Sequence, residues 1–326
     1  MTSLTVCIDY DDPLIKSLIL SSLSSSIHSL ALNLSTSASL QWSTYESLSF
    51  EHILANPSTT LCNSYIFRKA LIRKHFLSNT ISQWLSKYPQ SILAGSVPRT
   101  YLLECDYAEY LDEALNESFE LRDALAHNEG EEDEVGRKWF ILKPSMADRG
   151  QGIRLFSSLQ ELEDIFEEFE QLDEDEDEEA GDERQATGVI ANQLRHFVVQ
   201  EYIPNPLLLR TLVPGHKFHL RVYVVSFGAL KVFVWSEILA LFAGRAYSPP
   251  SLSTDMQGHL TNTCLQTEDD KSGHVARFWS LLLEKTVLKA IFGKICDVTG
   301  EIFFAAAAGQ QVHFQVPLHP RPQQQQ

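Results

Sequence analysis

The sequence predicts a mixed fold of the α+β or α/β class: an antiparallel sheet with helices, preceded by a smaller N-terminal α/β domain. Three observations carry this. The chain opens as strand, turn and helix over residues 5–20, short β-rich runs recur between Trp139 and Trp235, and a long helical pattern fills Val275 to Ala308. With 326 residues, 44% of them hydrophobic, the chain can bury a sizeable core, and its length suggests about two domains.

In order, Thr5 to Ile8 is a short apolar run that ends at Asp9-Tyr10-Asp11-Asp12-Pro13, after which Leu14, Ile15, Leu18, Ile19 and Leu20 set a helix. The Ser-rich stretch Ser21 to Ser43 carries Leu and Ile often enough to fold, and both loop and weak strand fit it. A second helical pattern runs from Tyr65 to Tyr88, with Arg68, Lys69, Arg73 and Lys74 among its polar positions. Such a basic face is either solvated or a phosphate contact. Pro98 to Leu103 reads as extended, and an acidic helix follows from about Tyr107 to Ala126.

The acidic run Glu129 to Glu134 reads as an exposed linker. It divides the chain into an N-terminal α/β domain (1–128), a linker (129–137), a larger region (138–315) and an irregular tail (316–326). Within the larger region, Trp139 to Leu142 is a strand leading into Lys143-Pro144-Ser145, and a loop over Met146 to Gly152 precedes the strand Ile153 to Phe156. After a helix from Leu159 to Phe169, the acidic composition of Asp173 to Glu183 cannot bury enough apolar area to offset ordering entropy. A disordered insertion is expected over 172–190. Strands then follow at Phe197 to Ile203, Lys217 to Phe227 and Leu230 to Trp235, with Gly228 at the turn of a hairpin. The long helical region is expected to break or kink near Gly293 and Gly300.

The net charge of −17 is carried by two segments. Of the 43 acids, nineteen fall in Glu129 to Glu134 and Glu163 to Glu183, and the rest nearly balance the 26 Lys and Arg. This argues against bulk nucleic-acid binding while leaving room for a local basic groove. Cys7, Cys62, Cys105, Cys264 and Cys296 are scattered and odd in number, which suits a reducing compartment. No signal-like start and no membrane-length apolar run is present, so a cytoplasmic protein is expected.

The chemistry gathers on two stretches. In Lys217 to Val224 strict alternation puts Phe218, Leu220, Val222 and Val224 on one face and Lys217, His219, Arg221 and Tyr223 on the other, a core face and a polar one. Between Lys143 and Ile153 the loop with Arg149, Gly150 and Gly152 offers backbone N–H groups and cations to a polyphosphate. It matches neither a Walker loop nor a dinucleotide fingerprint. Each residue has an ordinary alternative as a strand-end lysine, a loop glycine or a capping turn.

Further elements accumulate in one order: Lys143-Pro144-Ser145 with Arg149-Gly150-Gln151-Gly152-Ile153, Gln200-Glu201-Tyr202-Ile203 with Pro206-Leu207-Leu208, Lys217 to Val224, and His259-Leu260-Thr261-Asn262. Together they resemble the tubulin tyrosine ligase family, whose catalytic fold is an ATP-grasp. The resemblance covers roughly residues 138–315, with Arg68-Lys69 similar to the family's N-terminal Arg-Lys element. The variants look most like a fungal subgroup associated with cytoplasmic RNA granules, the P-bodies.

The resemblance implies an ATP- and Mg²⁺-dependent ligase that joins an amino acid of the Tyr or Glu class to a protein carboxylate through an acyl phosphate, a tubulin tail being one acceptor it allows, although nothing local reads tubulin specifically. It implies that Lys143, Arg149 and Gly150 contact nucleotide phosphate, and that Gln200, Glu201, Tyr202 and Ile203 form the hinge that reads adenine, partly through backbone groups. Lys217 and His219 would face the nucleotide. Arg221 would neutralise phosphate or the amino acid's carboxylate, Thr261 and Asn262 would complete the pocket, and Lys69, or in second place Lys74, would reach in from the first domain. Lys217, Arg221 and Lys69 are thus the catalytic candidates.

Three departures stand out. His219 replaces the family's acidic residue, Leu241 stands where a basic residue commonly precedes Phe-Ala, and no acidic residue follows Glu301, where the family has strands bearing an Asp and a Glu-x-Asn for Mg²⁺. No metal ligand is therefore assigned, and the last catalytic strands are expected to be missing through C-terminal truncation. Glu237 is a substitute carboxylate or a solvated strand-end acid. The alternative to a ligase is a catalytically incomplete, nucleotide-binding scaffold among RNA-granule proteins.

Overall fold

The computed structural model describes residues 4–10, 12–26, 30–32, 38–131, 136–147, 150–178, 196–262, 274–309 and 312–315. The chain forms two compact units, Met1–Arg68 with Gln315–Gln326 and Lys69–Phe314.

The first unit is a parallel sheet with short helices. Strands β1 (Leu4–Asp9), β2 (Leu30–Leu32), β3 (Leu40–Ser43) and β4 (Leu61–Cys62) lie in the order β2-β1-β3-β4. Helices α1 (Pro13–Ser26) and α2 (Phe50–Ala55) connect them. The opening strand, turn and helix appear as the pattern predicts. Asp12 caps α1, its Oδ1 accepting from the N–H groups of Leu14 and Ile15 at 2.8 and 3.3 Å. The Ser-rich stretch resolves into the end of α1 and two strands, and Val6, Ile8, Ile19 and Leu40 form the core.

The second unit begins with α3 (Lys69–Ile72) and α4 (Lys74–Lys87), two helices where the periodicity predicts one over 65–88. Then come β5 (Thr100–Glu104), α5 (Leu111–Glu117), α6 (Phe119–Glu129), β6 (Phe140–Pro144), β7 (Arg154–Phe156), α7 (Leu159–Glu178) and β8 (His196–Glu201). Their sheet is antiparallel in the order β5-β8-β6-β7. Alternation divides it cleanly into two faces. Tyr101, Leu103, Phe140, Leu142, Phe156, Phe197 and Val199 enter a core with Leu121, Leu125, Leu162 and Phe166 from the helices. Ile141, Lys143, Val198 and Gln200 occupy the intervening positions and so point the other way.

Two expectations change here. The compact division falls after Arg68 instead of at the acidic run 129–137. β5 pairs with β8 over its full length, and buried Asn128 donates from Nδ2 to the carbonyls of Lys138 and Ser157 at 2.7 Å each while accepting from the Lys138 N–H at 2.9 Å. That side chain stitches α6 to β6 and β7, so the stretch between them is a connection within one unit. Second, α7 continues through Glu178, past the expected start of the insertion at 172. A helix seated by Leu162, Ile165, Phe166 and Phe169 lengthens at the cost of one ordered residue per added hydrogen bond. Residues 179–190 of the expected insertion lie outside the described residues.

The rest of the second unit comprises β9 (Phe218–Arg221), β10 (Val224–Phe227), β11 (Lys231–Val234), β12 (Leu239–Phe242), α8 (Met256–His259), β13 (Val275–Arg277) and α9 (Lys285–Gly309). The stretch predicted as one strand, Lys217 to Phe227, divides at Val222 and Tyr223. β9 pairs with β12 in the sheet β13-β12-β9, whereas β10 pairs with β11 in a separate hairpin. Phe218, Leu220 and Val222 do pack on the core of Ile238, Ala240, Phe242 and Phe278, but Val224, beyond the division, is 36% exposed. Gly228 sits at the hairpin turn with φ +60°, a left-handed conformation that favours glycine. Helix α9 runs uninterrupted across Gly293 and Gly300. Both glycines face open space, so they lower helix propensity without breaking the hydrogen-bond ladder.

Glu301 is structural. Its Oε1 accepts from Trp84 Nε1 at 2.8 Å and Ser91 Oγ at 2.7 Å, pinning α9 to α4 and the turn after it. Cys7, Cys62, Cys105 and Cys296 are unbridged. Among the described residues no helix is long and apolar enough to cross a membrane.

Candidate functional site

The polar face of β6 and β8 meets the segment from Lys217 to Thr261 over a small apolar patch. Ile141, Leu155 and Tyr202 are buried together, flanked by Trp139, Ile153, Tyr247, Met256 and Leu260. Beside this patch stand two lysines whose ammonium groups are bonded to neutral partners. Lys143 Nζ donates to Gln200 Oε1 at 2.8 Å, and Lys217 Nζ donates to the Tyr202 hydroxyl at 2.9 Å. Gln200 is fixed in turn, its Nε2 donating to Thr100 Oγ1 at 3.0 Å.

Burial and mutual repulsion set the electrostatics. Desolvation first, then the charge of Lys74, pulls the Lys143 amine down to about 8. Desolvation, then Lys143, pulls Lys217 down to about 8. Three cations converge where burial already penalises charge, so an anion entering here is favoured.

Lys74 is the residue that the family resemblance placed second to Lys69. Its Nζ donates to the carbonyls of Pro144 at 2.9 Å and Ala147 at 2.6 Å, which ties α4 to the turn leaving β6. Lys69, the first residue of α3, is exposed. Ser145, in the same turn, bonds through its N–H to the His196 carbonyl at 2.9 Å, while its Oγ is buried without a hydrogen-bond partner. Beyond the turn, Gly150 and Gly152 have φ of +86° and +65°, values that a side chain would strain. Arg149 lies outside the described residues.

The expected hinge differs in detail. The Glu201 N–H donates to Arg99 O at 2.9 Å and the Tyr202 N–H to Trp139 O at 2.7 Å, so both amides are engaged in the protein. Glu201's carboxylate pairs with Lys138 at 3.8 Å. Ile203 lies past the strand and is exposed. What Tyr202 contributes is its side chain. The phenol meets His259 Nδ1 at 2.8 Å and Lys217, while His259 Nε2 lies 2.7 Å from the Ser253 carbonyl. The sequence assigned this stretch to adenine, partly through backbone groups; the signal for the side chain was the phenol's even spacing from Val198 and Gln200 on one strand face.

His219 Nδ1 is 2.7 Å from Thr261 Oγ1, which brings the departing residue and the predicted pocket residue together, with Asn262 next in the chain. Burial, then Arg221, lowers the His219 imidazole from its ordinary value, which favours the neutral ring. Arg221 ends β9 and is exposed. Glu237 is also exposed. Among the described residues no three His, Cys, Asp or Glu side chains come together in a way that could hold a metal ion. Mg²⁺ beside a nucleotide needs fewer protein ligands than such a cluster, commonly one or two carboxylates together with the phosphates.

A family model described as the tubulin-tyrosine ligase family matches residues 52–317. A probable tubulin–tyrosine ligase of Schizosaccharomyces pombe is 42% identical over 319 residues, covering 95% of this chain and 77% of that protein. The probable tubulin–tyrosine ligase PBY1 of Saccharomyces cerevisiae is 42% identical over 291 residues, covering 83% of this chain and 38% of that protein, so this chain spans well under half of its length. Among solved structures, the C-terminal domain of K. lactis Pby1, described as an ATP-grasp enzyme interacting with the mRNA decapping enzyme Dcp2, matches with a TM-score of 0.66 and 32% identity. The match covers 97% of this chain and 78% of that one.

Proposed function

The chain belongs to the tubulin-tyrosine ligase family and has an ATP-grasp fold, and from that premise we propose that it binds ATP between Lys143 and Lys217 and uses it to join an amino acid to a protein carboxylate. The observation that carries the reading is the convergence of two half-buried lysines, each bonded to a neutral side chain, beside an apolar patch. A carboxylate is a poor electrophile. Phosphorylation by the γ-phosphoryl group of ATP makes it an acyl phosphate, which an amine displaces with release of phosphate, leaving ADP. Cations held in a dry cleft offset the repulsion between acceptor carboxylate and polyphosphate. Gly150 would close over the phosphates with Arg149; Thr261, held by His219, and Asn262 would border the amino acid. Arg221 and Lys69, both at the surface, would meet the acceptor or the amino-acid carboxylate. A tubulin tail is the acceptor that the relatives' names suggest.

A second reading is favoured by one observation, the likeness to a protein described as interacting with an mRNA decapping enzyme. In it the chain binds nucleotide without turnover and serves as a scaffold among RNA-granule proteins in the cytoplasm, in keeping with the Dcp2 interaction described for the similar K. lactis protein. Titration with ATP tests the site: Lys143→Ala should weaken binding at least tenfold, and unchanged affinity removes the assignment. ADP release across a panel of amino acids and acceptor peptides, with and without Mg²⁺, separates ligase from scaffold.

A further inference from the structure

We infer that His259 is a positioning residue that acts through the Tyr202 phenol to hold Lys217 toward the phosphate chain. The inference rests on the ATP reading of the cleft. Its geometry is a directed chain of three hydrogen bonds, and the direction of each follows by elimination.

The Ser253 carbonyl can only accept, so His259 Nε2, 2.7 Å away, carries the ring proton. Nδ1 of the neutral ring then presents a lone pair to the Tyr202 hydroxyl at 2.8 Å, and the phenol donates to it, not to the neighbouring Tyr247 hydroxyl, because otherwise two lone pairs would face each other at that distance. With its proton committed, the phenol oxygen turns its lone pairs to Lys217, whose Nζ donates at 2.9 Å. Lys217 keeps two N–H groups for an anion. A phenol without the histidine could rotate its proton toward the ammonium group and repel it.

The surroundings keep this state. His259 and Tyr202 are only 3% and 7% exposed, so water does not compete for the hydroxyl. The groups facing His259 are Tyr202, Tyr247, Lys217 and Asp255. Burial lowers the imidazole pKa, with Lys217 acting in the same sense, while the Ser253 bond and Asp255 oppose them. A doubly protonated ring would leave the phenol no acceptor at Nδ1 and break the chain at its middle link.

The test uses Tyr202→Phe, which deletes one oxygen, and a pair of histidine replacements. His259→Gln keeps a donor near Nε2 but removes the Nδ1 acceptor, whereas His259→Asn keeps an acceptor near Nδ1. ATP affinity should fall about tenfold in Tyr202→Phe and His259→Gln and return toward the parent value in His259→Asn. Without nucleotide, the pH dependence of Lys217 acylation, read by peptide mass spectrometry, should shift to a lower midpoint in the first two variants and not in the third. Binding that is abolished by Lys217→Ala yet untouched by Tyr202→Phe and His259→Gln overturns the inference and leaves the ATP site standing. A parent protein that binds no ATP overturns the site reading instead, and an unchanged Lys217 midpoint in Tyr202→Phe then overturns the positioning role as well.

Discussion

His219 and Leu241 stand directly opposite each other in the β9–β12 ladder. Each is a position at which the sequence departs from the family pattern it resembles, the resemblance implying an acid at one and a base at the other. Opposed residues on one sheet face interact, and opposite charges there favour each other. The ladder thus sets a histidine beside a buried leucine where the resemblance implies a charge pair. Leu241→Arg alone should cost about 2–4 kcal/mol, because it buries an unpaired cation. Adding His219→Asp should recover part of that, with a coupling of about 0.5–3 kcal/mol in a urea double-mutant cycle. Strict additivity would show that the two positions are not energetically paired.

Lys143 and Lys217 give the site a pH signature. Both amines titrate near 8, below the ordinary 10.5. Between those values the unfolded chain holds protons that the folded chain has released, so their contribution makes stability rise with pH across that window. Below about pH 8 both are charged and the burial penalty is constant. Thermal unfolding should show a smaller rise between pH 8 and 10 in Lys143→Met and Lys217→Met than in the parent. Phosphate restores the charged form, so ATP binding near pH 8.5 should take up protons. Calorimetry in buffers of different ionisation enthalpy reads this directly, and zero uptake would mean that these amines do not meet the phosphates.

Lys74 and Lys69 separate cleanly in a stability experiment. Lys74→Met strips a charged donor from the Pro144 and Ala147 carbonyls and should cost about 1–3 kcal/mol, with faster amide exchange at Ser145 to Ala147. Lys69 is exposed, and Lys69→Met should change stability by less than about 0.5 kcal/mol. Equal losses in urea midpoint would show that Lys74 does not clamp the turn.

The legible parts of this chain were those written in local alternation. Period two named the core face of β9 and the hairpin at Gly228, and the flanking strands of the glycine loop appear as read. It could not show that the strand changes partners at Val222, because both pieces continue in extended backbone and only the pairing differs. Asn128 joins groups 10 and 29 residues away, so the acidic run after it looked like a boundary. Tyr202 and His259 meet across 57 residues, a separation that no periodicity reports. Lys74 was visible as a cation on a helix, but its partners are backbone carbonyls, which have no sequence signature.

The two glycines of α9 allow a test of that last helix. Gly293 and Gly300 are helical, and an added methyl group at either would meet nothing within 4 Å. Alanine at each should therefore act through backbone entropy alone, stabilising by about 0.5–1 kcal/mol. Seven residues of helix separate them by about 10 Å, so the effects should add. Urea unfolding of Gly293→Ala, Gly300→Ala and the double variant should give rising midpoints at an unchanged slope. A loss of stability at either position would mean that the backbone there needs glycine's freedom, as at a kink, and would restore the break that the sequence suggested.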